Sequence, residues 1–361
     1  MKHCYKTNGK QNLFQRSAFT LVEIMVSMTV LVVLLLISAQ VIGTVQSTWT
    51  ASSARVGQFR EARIAFDIIT RNLSQATLNA YIDYDQSYLT ATTNAGSGAV
   101  APSKYLRKSD LRFVSDLAST LVPNAGSASI APGHAVFFQA PLGIAHDPQY
   151  VGLDRLLCGR GYFVQYTSDD FFRPSILPPG VPRYRYRLME FSPPAEKNTV
   201  YDDDKNKWIK DAGIQIEDQE VPTNRGLTRP IADNIVGMAI LPMIEANAQG
   251  RSSGAIFEPQ LSYDSLLGAT ASSQGNQHRL PPLVKVILVA IDERSADRLS
   301  QMGDGSTPPF GTDISDALTG STMSTDVNAA LEEVAEALRK KRVNYRVFSA
   351  TVALRGAKWS S

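Results

Sequence analysis

No acidic residue precedes Glu23, although Lys2, Lys6, Lys10 and Arg16 lie within the first 18 positions. No proline interrupts the chain between Phe19 and Ala101, so nothing in that stretch forbids one long helix. The 361 residues include only two cysteines, Cys4 and Cys158, which excludes a disulfide-stapled fold. The four histidines, His3, His134, His146 and His278, are far apart, and none has a metal-type partner at ligand spacing. Gly9-Lys10 is followed by Gln11, so there is no phosphate-binding loop. No Gly-x-Ser-x-Gly elbow and no His-Glu-x-x-His helix occurs either. A net charge of +2 with no basic stripe gives no reason to expect nucleic-acid binding. No catalytic residue, cofactor or firm metal site is expected from these absences.

What the chain does have is a long apolar run. From Phe19 to about Val45 it is mostly apolar, with Thr20, Glu23, Ser27, Thr29, Ser38, Gln40 and Thr44 interspersed. As a helix this is long enough for a bilayer core of roughly 30 Å. The basic leader before it predicts a cytoplasmic N-terminus and an outward-facing remainder. A carboxylate within such a run is expensive and marks Glu23 as a functional candidate. An ordinary secretory signal, cut near Ile37-Ser38-Ala39 to release an enzyme, accounts for the leader but not for Glu23.

Ser17-Ala18-Phe19-Thr20-Leu21-Val22-Glu23 resembles the processing site of type IV prepilins and type II secretion pseudopilins. The resemblance implies cleavage between Ala18 and Phe19 by a membrane prepilin peptidase, then N-methylation of Phe19. Glu23 is then the fifth mature residue, and it is implied to set register during assembly with sibling pilin-like subunits. The family usually carries Gly before the cut; Ala18 is a tolerated variant that implies slower processing. Loss of the leader removes Cys4 and shifts the net charge to about −2. Cys158, the remaining cysteine, is expected to be a small buried residue.

The expected organisation is a leader at 1–18, a transmembrane helical half at 19–45, an amphipathic half at 46–81 and a β-rich periplasmic head at 82–361. Val56, Phe59, Ile64, Phe66, Ile68, Ile69, Leu73, Ala76 and Leu78 supply the apolar stripe of the second half. Two helices hinged near Gly43 or Gly57 are the alternative. Residues 81–103 read as loop. Strands are predicted at 111–115, 134–139, 161–166, 183–190, 234–241, 284–291 and 343–355. Helices are predicted at 293–302 and 325–341, and polar loops at 96–103, 126–133, 249–254, 268–277 and 303–320. The fold class is therefore α+β, pilin-like, with a mostly antiparallel sheet.

The alternation of Arg183-Tyr184-Arg185-Tyr186-Arg187-Leu188 suits a sheet with one wet face, its arginines solvated rather than binding RNA. His134, at the start of a strand, is expected to be structural. Asp202, Asp204 and Asn206 match the first three spacings of a calcium loop. Intervening lysines, no glycine at the turn and no Glu at the twelfth position favour a solvated turn.

Phe59–Phe66, Leu73–Asn79, His134–Gly143, Tyr184–Glu190 and Val289–Glu293 resemble the Verru_Chthon cassette protein C family of prepilin-type proteins, which implies no activity. The layout more distantly resembles the minor pseudopilin J of type II secretion. A minor filament subunit of the inner membrane is the resulting expectation. The alternative is a membrane-anchored surface module, an adhesin or carbohydrate binder, exported by a prepilin signal.

Overall fold

The computed structural model describes residues 20–85, 105–123, 126–145, 147–150, 156–173, 176, 180, 182–212, 227–245, 257–269, 274–301 and 306–359. The chain divides into two compact units, one through Ala54 and one from Arg55. Helix α1 (Leu21–Leu73) begins in the first and ends in the second, helical through both Gly43 and Gly57. The helical backbone is uninterrupted at both glycines, as the single-helix expectation has it, and the alternative of two separate helices is not met.

In the second unit, the end of α1 buries Ala62, Ala65, Phe66, Ile69 and Leu73, at steps of three and four. Ile64, expected on the apolar stripe, is 51% exposed instead. The small alanines at 62 and 65 occupy the contact line, so Ile64 is turned outward. Phe66 meets Phe348 with ring centroids 5.9 Å apart.

Twelve strands form three antiparallel sheets among the described residues. β1 (Tyr81–Tyr84) pairs with β2 (Tyr105–Lys108), so a loop expectation for 81–103 fails at its first residues. The remainder of that segment, from residue 86, lies outside the described residues. A six-stranded sheet runs in the order β10-β3-β4-β5-β6-β7. Its members are β3 (Val114–Leu117), β4 (His134–Ala140), β5 (Cys158–Ser168), β6 (Tyr184–Phe191), β7 (Thr228–Asp233) and β10 (Tyr263–Asp264). A four-stranded sheet runs β12-β11-β8-β9, from β8 (Ile235–Glu245), β9 (Phe257–Pro259), β11 (Leu283–Ile291) and β12 (Tyr345–Ala353).

Every residue of β4 and β5 is buried, because both faces of the six-stranded sheet are covered around them. On one face the Trp208 indole packs edge-on to Phe137, centroids 5.8 Å apart. On the other, α1 reaches Tyr162 through Asn72. Asn234, at φ 61°, is the single residue between β7 in one sheet and β8 in the other. Asn tolerates that left-handed conformation better than most side chains.

Helices α2 (Glu293–Ser300), α3 (Asp313–Thr319) and α4 (Val327–Lys340) complete the head. Asp292 caps α2 through the Ser295 amide at 2.9 Å, and Asp326 caps α4 through the Asn328 and Ala329 amides. α3 falls inside the predicted polar loop 303–320. Ile314, Ala317 and Leu318 bury against the head there, a pattern too short to stand out among Gly, Ser and Pro neighbours.

Candidate functional site

The first unit is defined by what its helix lacks. Over the 29 residues Leu21–Trp49, which include an 18-residue stretch of mean hydropathy 2.6, no side chain is buried. At 1.5 Å per residue this is roughly 43 Å of helix, enough to cross a membrane once. Its hydroxyls are satisfied internally. Ser27, Ser38, Thr44 and Thr48 donate to carbonyls four residues back, at 2.7–2.9 Å. Thr29 and Ser47 donate three residues back, at 2.8 and 2.9 Å. A Ser- and Thr-bearing helix can therefore enter hydrocarbon without orphaned donors.

Glu23 lies at the start of this helix. The Thr20 hydroxyl accepts from the Glu23 amide at 3.3 Å, and the Thr20 carbonyl accepts from the Glu23 and Ile24 amides at 3.0 and 3.2 Å. Thr20 is thus an N-cap, and Thr20-Leu21-Val22-Glu23 has the spacing of a capping box. Sequence reasoning passed over Thr20, although Thr-x-x-Glu before an apolar run was the signal. A carboxylate in the first turn also complements the helix dipole. Glu23 is exposed, so the helix offers an apolar surface with one acid near its end. Ala18 and Phe19 lie outside the described residues.

Several ionisable groups of the head hold its elements together. Arg185 and Arg187, expected on a wet sheet face, are 6% and 4% exposed. Arg185 pairs with Glu293 at 2.5 Å and with Asp297, while Arg187 pairs with Asp233 at 3.1 Å and donates to the Thr167 carbonyl. The alternation predicted the strand correctly but not the α2 carboxylates that cover it. The solvated-arginine expectation is therefore overturned for Arg185 and Arg187, whereas Arg183 is exposed as expected and pairs with Asp297 at 3.0 Å.

A buried relay ties α1 to the sheet. Asn72 Nδ2 donates to the Tyr162 hydroxyl at 2.8 Å, which donates to Glu190 Oε1 at 2.8 Å. Arg229 approaches Glu190 Oε2 at 3.4 Å. Burial, with the Glu190 charge adding to it, pushes the Tyr162 phenol far above its ordinary range, so it stays a donor. Tyr162→Phe is expected to cost about 2 kcal/mol by stranding Asn72 and Glu190. Denaturant unfolding of the full chain measures it, and an unchanged midpoint contradicts the relay.

His134 is fully buried at the head of β4, with no hydrogen-bond partner on either ring nitrogen. Burial lowers its pKa from 6.5 to about 4; the nearby Leu261 carbonyl, outside hydrogen-bond geometry, opposes this weakly. The unfolded ring takes a proton below pH 6.5 and the folded ring only near 4. Stability is therefore complete above about pH 6.5 and falls as pH drops toward 4, by roughly 3 kcal/mol across the window. His134→Leu is expected to flatten the acid limb of a stability–pH profile; an unaltered limb rejects the assignment.

Asp202 and Asp204 form ordinary turns. Asp202 pairs with Lys207 at 2.5 Å and Asp204 with Lys210 at 2.9 Å, and each accepts a backbone amide two residues on. Asn206 Oδ1 accepts from Arg112. The lysine hydrogen bonds hold both carboxyls below their usual range. Among the described residues, no group of three or more His, Cys, Asp or Glu side chains is placed to hold a metal. Cys158 is buried, as expected, and burial raises its thiol pKa.

Residues 13–39 match the prokaryotic N-terminal methylation motif. No curated protein matches the chain by sequence. Among solved structures, a type IV-like pilin from Thermus thermophilus aligns over 82% of this chain and 97% of its own, at 8% identity and a TM-score of 0.28. That score is too low to carry an argument from its fold. What the match and the helix establish together is an N-terminal segment of the prepilin type, leading an α+β chain with, among the described residues, one apolar helix long enough to span a membrane.

Proposed function

We propose that this chain is a pilin-like subunit, a minor one, of a type IV pilus or type II secretion-like filament. Prepilin peptidase removes residues 1–18, Phe19 is N-methylated, and the N-terminal helix holds the chain in the inner membrane with its head in the periplasm. Assembly proceeds by packing this helix against those of sibling subunits, and no catalysis by the chain is required. One observation carries the reading. The methylation motif runs into the apolar stretch Leu21–Trp49, a helical segment that buries none of its side chains and carries one carboxylate just past its cap.

The physical logic follows from the cost of charge. Cleavage creates a positive amine on Phe19, four residues before Glu23 in the sequence. A carboxylate entering an apolar bundle is tolerated when paired, and the pair fixes one axial register. The large, loop-rich head favours a tip or low-copy position over dense repetition along a thin filament. The more distant resemblance to the minor pseudopilin J agrees with a minor role.

Shearing the cells tests this reading. The chain is expected in the sheared filament fraction at a small ratio to the major subunit, and absent from that fraction in cells without the peptidase. A chain confined to the membrane in both strains contradicts it.

A further inference from the structure

Strand edges expose unpaired backbone groups, and folded proteins normally blunt them with short strands, prolines, bulges or charges. Three of the four edges of the two large sheets are blunted here. β10 has two residues, β9 has three and ends in Pro259, and β7 carries Pro230 opposite a register shift in β6. β12 differs from all of them. It runs nine residues in unbroken register with β11, without proline, glycine or acid.

The direction of its backbone groups can be read from the ladder. The Leu354 amide donates to the Pro282 carbonyl, and the Asp292 amide to the Asn344 carbonyl, so even-numbered β12 residues face β11. The N–H and C=O groups of Tyr345, Val347, Ser349, Thr351 and Ala353 therefore point away from the sheet. Among the described residues, no backbone group bonds to them. Ser349, Thr351 and Ala353 are exposed.

The surroundings are cationic. From Ala337 to Ser361 the chain has seven basic residues and no acid. Glu332 and Glu336 of α4 engage Arg339 and Lys340. Lys341, Arg342, Arg346 and Arg355 are exposed and make no ion pair among the described residues. Arg298 adds a further guanidinium against the Lys341 and Arg342 carbonyls. Pairing β12 with its counterpart in a second copy brings two such cationic frames together, which opposes self-association.

We propose that the free edge of β12 is a docking site for an extended, carboxylate-bearing strand of another protein, added antiparallel or parallel as a fifth strand of the four-stranded sheet. Main-chain hydrogen bonds to the outward groups supply affinity, and the frame of Arg342, Arg346 and Arg355 selects acidic flanks. The site rests on the edge alone and stands whether or not the chain joins a filament.

The test uses the full chain in detergent micelles and a fluorescein-labelled strand peptide, acetyl-Glu-Glu-Thr-Val-Thr-Val-Thr-Glu-amide. Two controls accompany it, one with lysine replacing each glutamate and one with proline replacing the central threonine. Fluorescence anisotropy is expected to show saturable binding of the acidic strand, at least tenfold tighter than either control. Ser349→Pro removes an outward amide without touching the β11 ladder, and is expected to weaken binding more than tenfold. Arg346→Glu is expected to shift preference toward the lysine peptide, and it decides the matter if Ser349→Pro fails to fold. No saturable binding overturns the proposal. So does equal binding of the proline-containing acidic peptide, which signals a diffuse basic patch instead of a strand edge.

Discussion

Glu23→Ala is expected to leave the chain fully inserted in the membrane and to reduce its recovery in sheared filaments by two orders of magnitude or more. Removing one intramembrane charge cannot harm insertion, since Leu21–Trp49 is already apolar enough to span. Assembly is where the effect falls. In the proposed assembly, loss of the carboxylate leaves the Phe19 amine of an incoming subunit unpaired in the apolar bundle. Breaking a buried pair from one side costs about 3–5 kcal/mol, and each 1.4 kcal/mol is tenfold in an equilibrium. Carbonate extraction reads insertion, and quantitative blotting of the sheared fraction reads assembly. Unchanged recovery contradicts the pairing. Glu23→Asp separates charge from length: it keeps the acid but shortens its reach, and is expected to recover only part of the assembly.

Gly133→Ala is expected to be the most damaging single-methyl change in the head. Gly133 has φ +87°, and a Cβ there would lie 2.2 Å from the Met238 carbonyl oxygen. Met238 belongs to β8, whose backbone is held by β11. The clash partner is thus fixed main chain, which has no alternative rotamer. The left-handed backbone costs an alanine about 1–2 kcal/mol, and forced overpacking typically adds about 1–3. A loss of about 3 kcal/mol is expected in denaturant unfolding of the full chain, set against a small loss for alanine at exposed Gly311, which also has positive φ but no neighbour within 4 Å. Equal effects at the two positions contradict the close approach of Gly133 to β8.

Local chemistry made the strands legible. Val286–Ile291 and Ile235–Leu241 are continuous apolar runs, and both lie in the middle of the four-stranded sheet, where such runs belong. Acidic residues before and basic residues after the apolar positions of α4 gave that helix, with Asp326 one position off as its cap. The failures share a different cause. Nothing local to Arg183–Leu188 announces that Glu293 and Asp297, a hundred residues later, will cover Arg185, or that Asp233 will pair with Arg187. Thr228–Asp233 contains a proline and two charges, and it is a strand because β6 supplies a partner for its backbone. Ile64 reads as core by hydropathy, yet alanines set the line along which α1 meets the head. At the N-terminus, the apolar run and Glu23 were legible from sequence, whereas the Thr20 cap required attention to a single hydroxyl.

The measurement that bears most directly on the central claim is the intact mass and N-terminal sequence of the chain extracted from membranes, with and without prepilin peptidase. The account predicts a mature chain beginning at N-methyl-Phe19, replaced by the uncut form when the peptidase is absent. A chain that starts near Gln40, or that is identical in both strains, contradicts it and returns the head to the class of secreted or merely anchored domains.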